Sequence, residues 1–526
     1  MSILVFLIFF CLLSVSIIYF LPLMNFGIYF LEWPFLCYKF MLSQESLLFS
    51  LALLIVTLSV LIFSSYYLEG ELNFSYYYFV LLVFVGSMFG LMFSTGGFSM
   101  LLSWDILGIS SFFLVLFYNN WDSCSGAMNT VLTNRLGDFF LFVFFSGIVF
   151  SGWYFFSMSV FMILSGLLLL LAAFTKSAQF PFSGWLPKAM SAPTPVSSLV
   201  HSKTLVTAGL ILVMNFKEIM LNLNFAGTLL LIGLLTMLFS SISALIEEDM
   251  KKVVALSTLS QMGFCMMTVG LGLSFISLVH MVSHAFFKSC LFMQIGFLIH
   301  NSFGQQDGRN YSNLGSVPYG IQLQLLVTLF CLCGLLFSSG AVSKDFILEF
   351  FYVNNFWMLL ALAFFLSVFL TFGYSYRLWK SFFISFGKCV FVGIGSMLMN
   401  YLSLMLIVMS VFFIWWLGTN MLQIPGLYLY VDFFVPLLFL VGILFFIYFV
   451  IKILFKELAY KFLVDYFSKG FIYFLINLKF VDMFLGELNN KGFSNLMLGS
   501  SNFILMMKNL YFNSLVLVLF FVFFLI

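Results

Sequence analysis

The chain has 526 residues, of which 63% are hydrophobic and 8% charged, with a formal net charge of +2. A soluble domain of this size has too little polar material to cover its surface, so the composition excludes one and points to a membrane protein. The near-zero charge and the lack of a basic run give no footing for nucleic acid.

A helix that crosses the hydrocarbon core needs about 20 apolar residues. In chain order, such runs lie near 3–23, 46–67, 76–95, 97–118, 130–151, 158–178, 195–215, 226–246, 251–272, 274–299, 319–341, 355–379, 396–418, 432–453 and 511–526. They predict an all-α polytopic membrane protein of about fifteen helices, and their unbroken length excludes a β-barrel. The first run lacks a basic leading segment and reads as a retained span rather than a signal peptide. Polar punctuation separates the runs at Glu69-Gly-Glu71, Asn119-Asn-Trp-Asp122, Glu247-Glu-Asp-Met-Lys-Lys252 and Asn301 to Asn313. Within the third of these, Asp249, Lys251 and Lys252 read as a solvated turn whose positive charge orients the chain. Residues 452–508 mix Lys, Asp and Glu with Phe, Leu and Tyr. That stretch is too polar to span and suits an amphipathic helix lying along a membrane or along other helices.

Two places read as interruptions. Thr175 to Pro195 gathers Lys176, Pro181, Gly184, Pro187, Pro193 and Pro195. Cys333-Gly-Leu-Leu-Phe-Ser-Ser-Gly-Ala-Val-Ser-Lys-Asp345 gathers small residues ahead of Lys344. Paired interruptions in two halves of a chain point to repeats with broken helices at an ion path; a plain loop between helices is the alternative reading, and for the second site composition favours neither.

Ionisable groups are the other signal. Asp105, Arg135, Asp138, Lys176, His201, Lys203, His280, His284, Lys288, Lys344 and Asp345 lie in or at the edges of apolar spans. Each costs roughly 2.5–3.5 kcal/mol on insertion scales, and repeated tolerance of such groups is the mark of ion or proton movement. Asp105 and Lys176 read as an acid–lysine couple, able to hold charge only while paired; a helix-capping Asp is the bland alternative. Arg135 and Asp138 are three apart and share a helical face, as a structural pair or as part of a relay. His280, His284 and Lys288 step by four along one face. They lack the Glu of a zinc-protease signature, since Met281 follows the first His, and read as a proton wire or as polar core residues. The eight cysteines form no CxxC pair, and Cys331 and Cys333 read as small packing residues. Phe, at 77 residues, is far in excess, and only three basic residues (Arg135, Arg309, Arg377) are Arg. A T-rich coding genome, such as an organelle's, would account for both, with plain membrane packing as the alternative reading of the Phe excess.

Thr175-Lys-Ser-Ala-Gln179, Trp185-Leu-Pro-Lys-Ala-Met190, Ala192-Pro-Thr-Pro-Val-Ser-Ser-Leu-Val-His-Ser202, Asp249-Met-Lys-Lys-Val-Val-Ala-Leu-Ser-Thr258, His284-Ala-Phe-Phe-Lys288 and Ser343-Lys-Asp345 resemble the antiporter-like membrane subunits of respiratory complex I. The resemblance covers residues 40 to 385 and, by character only, the tail. The run Pro193 to Ser202 and the long tail are similar to one branch of that family rather than its paralogues, and the short Phe-rich chain is similar to nematode versions. The resemblance implies a proton path through Asp105, Lys176, His201, Lys288 and Lys344, with Arg135, Asp138, His280, His284 and Asp345 in support. It implies N-terminal helices over 1–75, inverted repeats over 76–215 and 226–379, further helices over 396–453, a lateral helix over 454–510 and an anchor over 511–526. It implies the mitochondrial inner membrane, with the other membrane-arm subunits, especially antiporter-like subunits 4 and 2, accessory subunits and phospholipids as partners.

Three departures stand out. The family carries Glu at the position of Asp105, Pro at that of Leu336, and one more helix ahead of Asp105. No Gly-rich dinucleotide turn or cluster-type cysteine spacing is present in the sequence, so no cofactor or metal is expected on this chain. A subunit of a multi-subunit sodium–proton antiporter and a non-transporting scaffold are the rival functions.

Overall fold

The computed structural model describes residues 26–32, 37–151, 158–217, 225–311, 317, 319–334, 339–340, 343–344, 347, 358–383 and 397–420. Among them, eight helices are long and apolar enough to cross a membrane. In lipid every backbone polar group needs an internal partner, which is why these apolar runs become helices. The chain is a mostly helical membrane protein. The expected spans near 3–23, 432–453 and 511–526 and the lateral helix over 454–510 lie outside the described residues.

The helices in chain order are α1 (Gln44–Tyr67), α2 (Phe74–Phe93), α3 (Gly97–Val115), α4 (Trp121–Ser151), α5 (Met158–Lys176), the single turn α6 (Trp185–Lys188), α7 (Thr194–Asn215), α8 (Ala226–Ile246), α9 (Met250–Gly270), α10 (Ser274–Asn301), α11 (Tyr319–Cys333), α12 (Met358–Phe383) and α13 (Met397–Asn420). Their starts show sequence logic. Ser43 and Ser46 form a reciprocal cap on α1: the Ser46 N–H donates to Ser43 Oγ (3.2 Å) and the Ser43 N–H to Ser46 Oγ (3.0 Å), with Glu45 in the first turn, where the helix dipole favours a negative charge. Buried hydroxyls bond back to their own helix, as Thr57 Oγ1 does to the Leu54 carbonyl at 2.9 Å, so they carry no unpaired donor into lipid.

One element was not foreseen from the sequence. Phe26–Glu32 (β1) and Cys37–Leu42 (β2) pair antiparallel, Phe26 opposite Leu42, with an irregularity between Tyr29 and Leu31. Both are too short to span, and their Ile, Tyr and Phe suit a pleated surface. An isolated bridge joins Phe40 to Ser94, at the turn between α2 and α3.

α10 is the centre of the body, touching α1, α9, α11, α13 and the first half of α7. The most apolar windows of α1, α7, α9 and α10 are 94–100% buried, whereas those of α2, α3, α8 and α12 are at most half buried and form the outer wall. Hence the polar side chains of α9 and α10, apart from positions near their ends such as Lys252 and His300, are enclosed by protein. The polar loop after α10 is strapped to the α8–α9 turn: the Gly308 N–H donates to the Glu248 carbonyl (3.0 Å), the Met250 N–H to that of Gln306 (3.0 Å), and Arg309 reaches Glu248 at 2.6 Å and Asp307 at 2.8 Å.

Candidate functional site

α5 stops at Lys176 by a left-handed cap. Ala178 takes φ 55°, and the Gln179 N–H donates back to the Phe174 carbonyl at 3.0 Å, the bond of a Schellman turn. The Trp185 indole, from α6, donates to the Thr175 carbonyl at 3.0 Å. The break therefore satisfies its own free carbonyls, as membrane depth demands. A lysine in the last turn also meets the negative end of the helix dipole.

Lys176 is fully buried. Its Nζ donates to the Trp104 carbonyl at 2.7 Å and lies 3.8 Å from the centre of the Trp104 ring. The Trp104 Nε1–H donates to Asp138 Oδ1 at 2.8 Å. Arg135 donates to Asp138 Oδ2 at 3.3 Å and sits 3.7 Å from Asp105 Oδ1. Asp105 and Lys176, expected to meet directly or across one water, form no direct ion pair; Arg135 stands between Asp105 and the Asp138–Trp104 link to the lysine. α3 turns Trp104 inward, which leaves its neighbour Asp105 to one side with its side chain 32% exposed. Asp138, 5% exposed, is the carboxylate linked to the lysine. Gly137 permits this, because a methyl group there would overlap Thr175 Oγ1 and push α4 away from α5.

The second cluster lies on α9, α10 and the segment after α11. His280, His284 and Lys288 are all fully buried on α10. The Lys288 ammonium donates to Ser257 Oγ on α9. His280 meets Ser343 Oγ at 2.8 Å through Nδ1 and Gln261 Oε1 at 3.2 Å through Nε2. Neither ring nitrogen of His284, between them, has a hydrogen-bond partner, and its ring stands edge-on to Phe287 at 5.4 Å. α11 ends at Cys333, where Gly334 takes φ 78°. Lys344, 4% exposed, donates its Nζ to the Leu332 carbonyl in the last turn of α11 at 2.6 Å. The helix therefore ends here without the family's proline: Gly334 supplies a left-handed residue.

His201 lies on a π-helical stretch, Ser197–Thr204, within α7, packed against α10; its side chain, like Lys203's and the whole of Asp345, lies outside the described residues. The interruption expected from Pro193 and Pro195 takes a different form: Pro193 caps the helix and Pro195 sits in its first turn, where a missing N–H costs nothing. The widened turn follows them, with the Leu205 N–H donating to the Val200 carbonyl.

The solvated-turn reading of Lys251 is also corrected. It is buried on the first turn of α9, its ammonium donating to the Ala192 carbonyl. The signal was available, since Lys251 shares its helical face with Val254, Thr258 and Gln261. Lys252 does face out, 2.5 Å from Asp249. Trp104 was the other missed residue; its indole bridging role has no sequence signature. Among the described residues no group of three His, Cys, Asp or Glu is placed to hold a metal ion.

This is a polytopic membrane body with lysines buried at helix breaks, and residues 94–371 match the family described as "NADH:quinone oxidoreductase/Mrp antiporter, TM". The fold is similar to a chain of the Mrp complex from a Dietzia species, at TM-score 0.65 and 23% identity, covering 79% of this chain and 54% of that one. The chain is 65% identical over 531 residues to NADH-ubiquinone oxidoreductase chain 5 of Ascaris suum, covering 100% of this chain and 96% of the relative. It is 65% identical over 513 residues to the chain 5 of Caenorhabditis elegans, covering 97% and 96%. The chain belongs to the antiporter-like family and, within it, to the NADH-ubiquinone oxidoreductase chain 5 group.

Proposed function

We propose that the chain is a membrane-arm subunit of NADH–ubiquinone oxidoreductase that moves protons across the mitochondrial inner membrane while quinone reduction takes place on other subunits. The observation that carries this is the pair of buried lysines, Lys176 and Lys344, each at a helix interruption and each donating to a helix carbonyl. A buried ammonium held by a helix carbonyl, with its supporting charge in a neighbouring network as Asp138 and Arg135 are for Lys176, can give up its proton when that network changes charge, which suits a carrier.

The residues assign the steps. Asp105, Arg135, Asp138 and, through the Trp104 indole, Lys176 form a row of alternating charge. A proton reaching Asp105 neutralises it, and Arg135 then turns wholly to Asp138. Asp138 supports the Lys176 charge less, and Lys176 gives up its proton. Lys288, His284 and His280 lie one turn apart along α10 and lead to Ser343 and Lys344. His201, on the widened turn of α7, is assigned to the passage between the two clusters.

The same reading assigns inverted repeats to 76–215 and 226–379, flanking helices to 1–75 and 396–453, and to 454–510 a lateral helix along the antiporter-like subunits 4 and 2, with 511–526 as its anchor. Accessory subunits and phospholipids are the other partners; no cofactor is assigned to this chain. Isolation of the chain from mitochondrial membranes tests the assignment: it co-purifies with flavin- and iron–sulfur-bearing subunits, whereas a stand-alone sodium–proton antiporter leaves without them.

A further inference from the structure

The turn that ends α5 is tied to α8 by two consecutive side chains. Gln179 and Thr236 are both fully buried, and Gln179 Oε1 lies 2.7 Å from Thr236 Oγ1. Phe180 stacks on Phe239, one turn further along α8, with 5.4 Å between ring centres. Thr236 has a single hydroxyl proton, and the Gly233 carbonyl stands 2.8 Å from the same oxygen. If the proton goes to that carbonyl, the Gln179 amide, turned over, donates Nε2–H to Thr236 Oγ1 instead. Either arrangement keeps one hydrogen bond between the two side chains. Gly263, on α9, makes the room: a methyl group there would overlap Thr236 Oγ1.

Gln179 is also where the break closes. Its N–H donates to the Phe174 carbonyl, so Lys176 stands inside the loop that this bond draws shut. Ala178, within the same loop, holds φ 55°, a left-handed conformation disfavoured for any residue with a Cβ. Such strain persists only where the surroundings fix it. On the other side, Gly209 of α7 lies against the Ala173 carbonyl and Ser177, so the turn is seated between α7 and α8.

Resting on the transport reading above, we infer that Gln179 and Thr236 are positioning residues for Lys176: through their hydrogen bond α8 holds the last turn of α5 so that the ammonium meets the Trp104 carbonyl. Proton transfer needs donor and acceptor within hydrogen-bond reach or one water apart. A turn that drifts from α8 therefore takes Lys176 out of the relay while leaving its charge in place. Because α8 belongs to the second assigned repeat, the bond also makes the first break answer to the packing of α8 on α9.

The test uses intact complex in sealed vesicles carrying Gln179→Met, Thr236→Val, Thr236→Ser or Lys176→Ala. Assembly, uncoupled NADH–ubiquinone electron transfer and protons moved per NADH are measured separately. Gln179→Met and Thr236→Val keep the shape and remove the bond; they should assemble, keep uncoupled electron transfer and lose protons per NADH. If one of the two fails to assemble, the other carries the test. Thr236→Ser, which keeps the hydroxyl, should move the wild-type number. Wild-type protons per NADH in assembled Gln179→Met or Thr236→Val complex would make the tie structural and overturn the proposal. So would a defect in Thr236→Ser as large as that in Thr236→Val, which would assign the effect to shape. In those cases the transport reading stands if Lys176→Ala lowers protons per NADH, and falls as well if Lys176→Ala leaves them unchanged.

Discussion

Lys344 bonds to the carbonyl of Leu332, twelve residues back along the chain, because α11 stops and Gly334 turns it aside. The lysine thereby occupies a carbonyl that the interruption has freed. The interruption and the charge are one device: the break supplies an acceptor for the ammonium, and the ammonium satisfies a backbone group that would otherwise be unpaired in the membrane.

Gly334→Ala tests that device. A side chain at φ 78° costs about 1–2 kcal/mol, and the new methyl would lie 2.9 Å from Lys344 Cδ. The expected outcome is a complex with fewer protons moved per NADH and only modest loss of assembly, measured by the yield of intact complex and by vesicle acidification. Wild-type pumping in this variant would show that the turn and the lysine are independent.

The two carboxylates differ in burial and in partner, so their amides should differ in effect. Asp138→Asn removes the charge that faces Lys176 through Trp104 and leaves Arg135 with Asp105 alone. It should nearly abolish pumping in assembled complex. Asp105→Asn, at the exposed end of the row, should lower pumping less. A larger loss in Asp105→Asn than in Asp138→Asn would mean that Asp105 faces Lys176 directly in the working complex.

Much of this was legible in the sequence, and the misses have physical causes. The eight spans among the described residues follow from composition, and helix ends such as the C-terminal end of α8 at Glu247 fall at the polar punctuation. Lys176 and Lys344 announce themselves as charges in apolar runs. The partner of Lys176 did not, because it depends on the rotation of α3: one residue's step turns Trp104 to the core and Asp105 away. Pro193 and Pro195 signalled a break where they begin a helix, and the π stretch behind them has no residue signature. The hairpin at 26–42 is short and aromatic, and aromatic residues serve lipid-facing helices as well as strands.

Lys251 should behave as a clip rather than a carrier. It ties the first turn of α9 to the Ala192 carbonyl, just ahead of α7. Lys251→Met keeps the apolar stem and leaves that carbonyl unpaired, at a cost of about 1–3 kcal/mol. Thermal stability and assembly should fall while protons per NADH in the surviving complex hold. A pumping defect at full assembly would make Lys251 part of the proton path.

The central claim, that buried lysines at broken helices carry the protons, is tested most directly at Lys176. The measurement is protons moved per NADH oxidised by intact complex carrying Lys176→Ala, in sealed vesicles, with the amount of assembled complex determined in parallel. The account predicts assembled complex with a clear loss of protons per NADH, since Asp138 then faces no ammonium and the first cluster has no carrier. An assembled Lys176→Ala complex that moves the wild-type number of protons per NADH would contradict it.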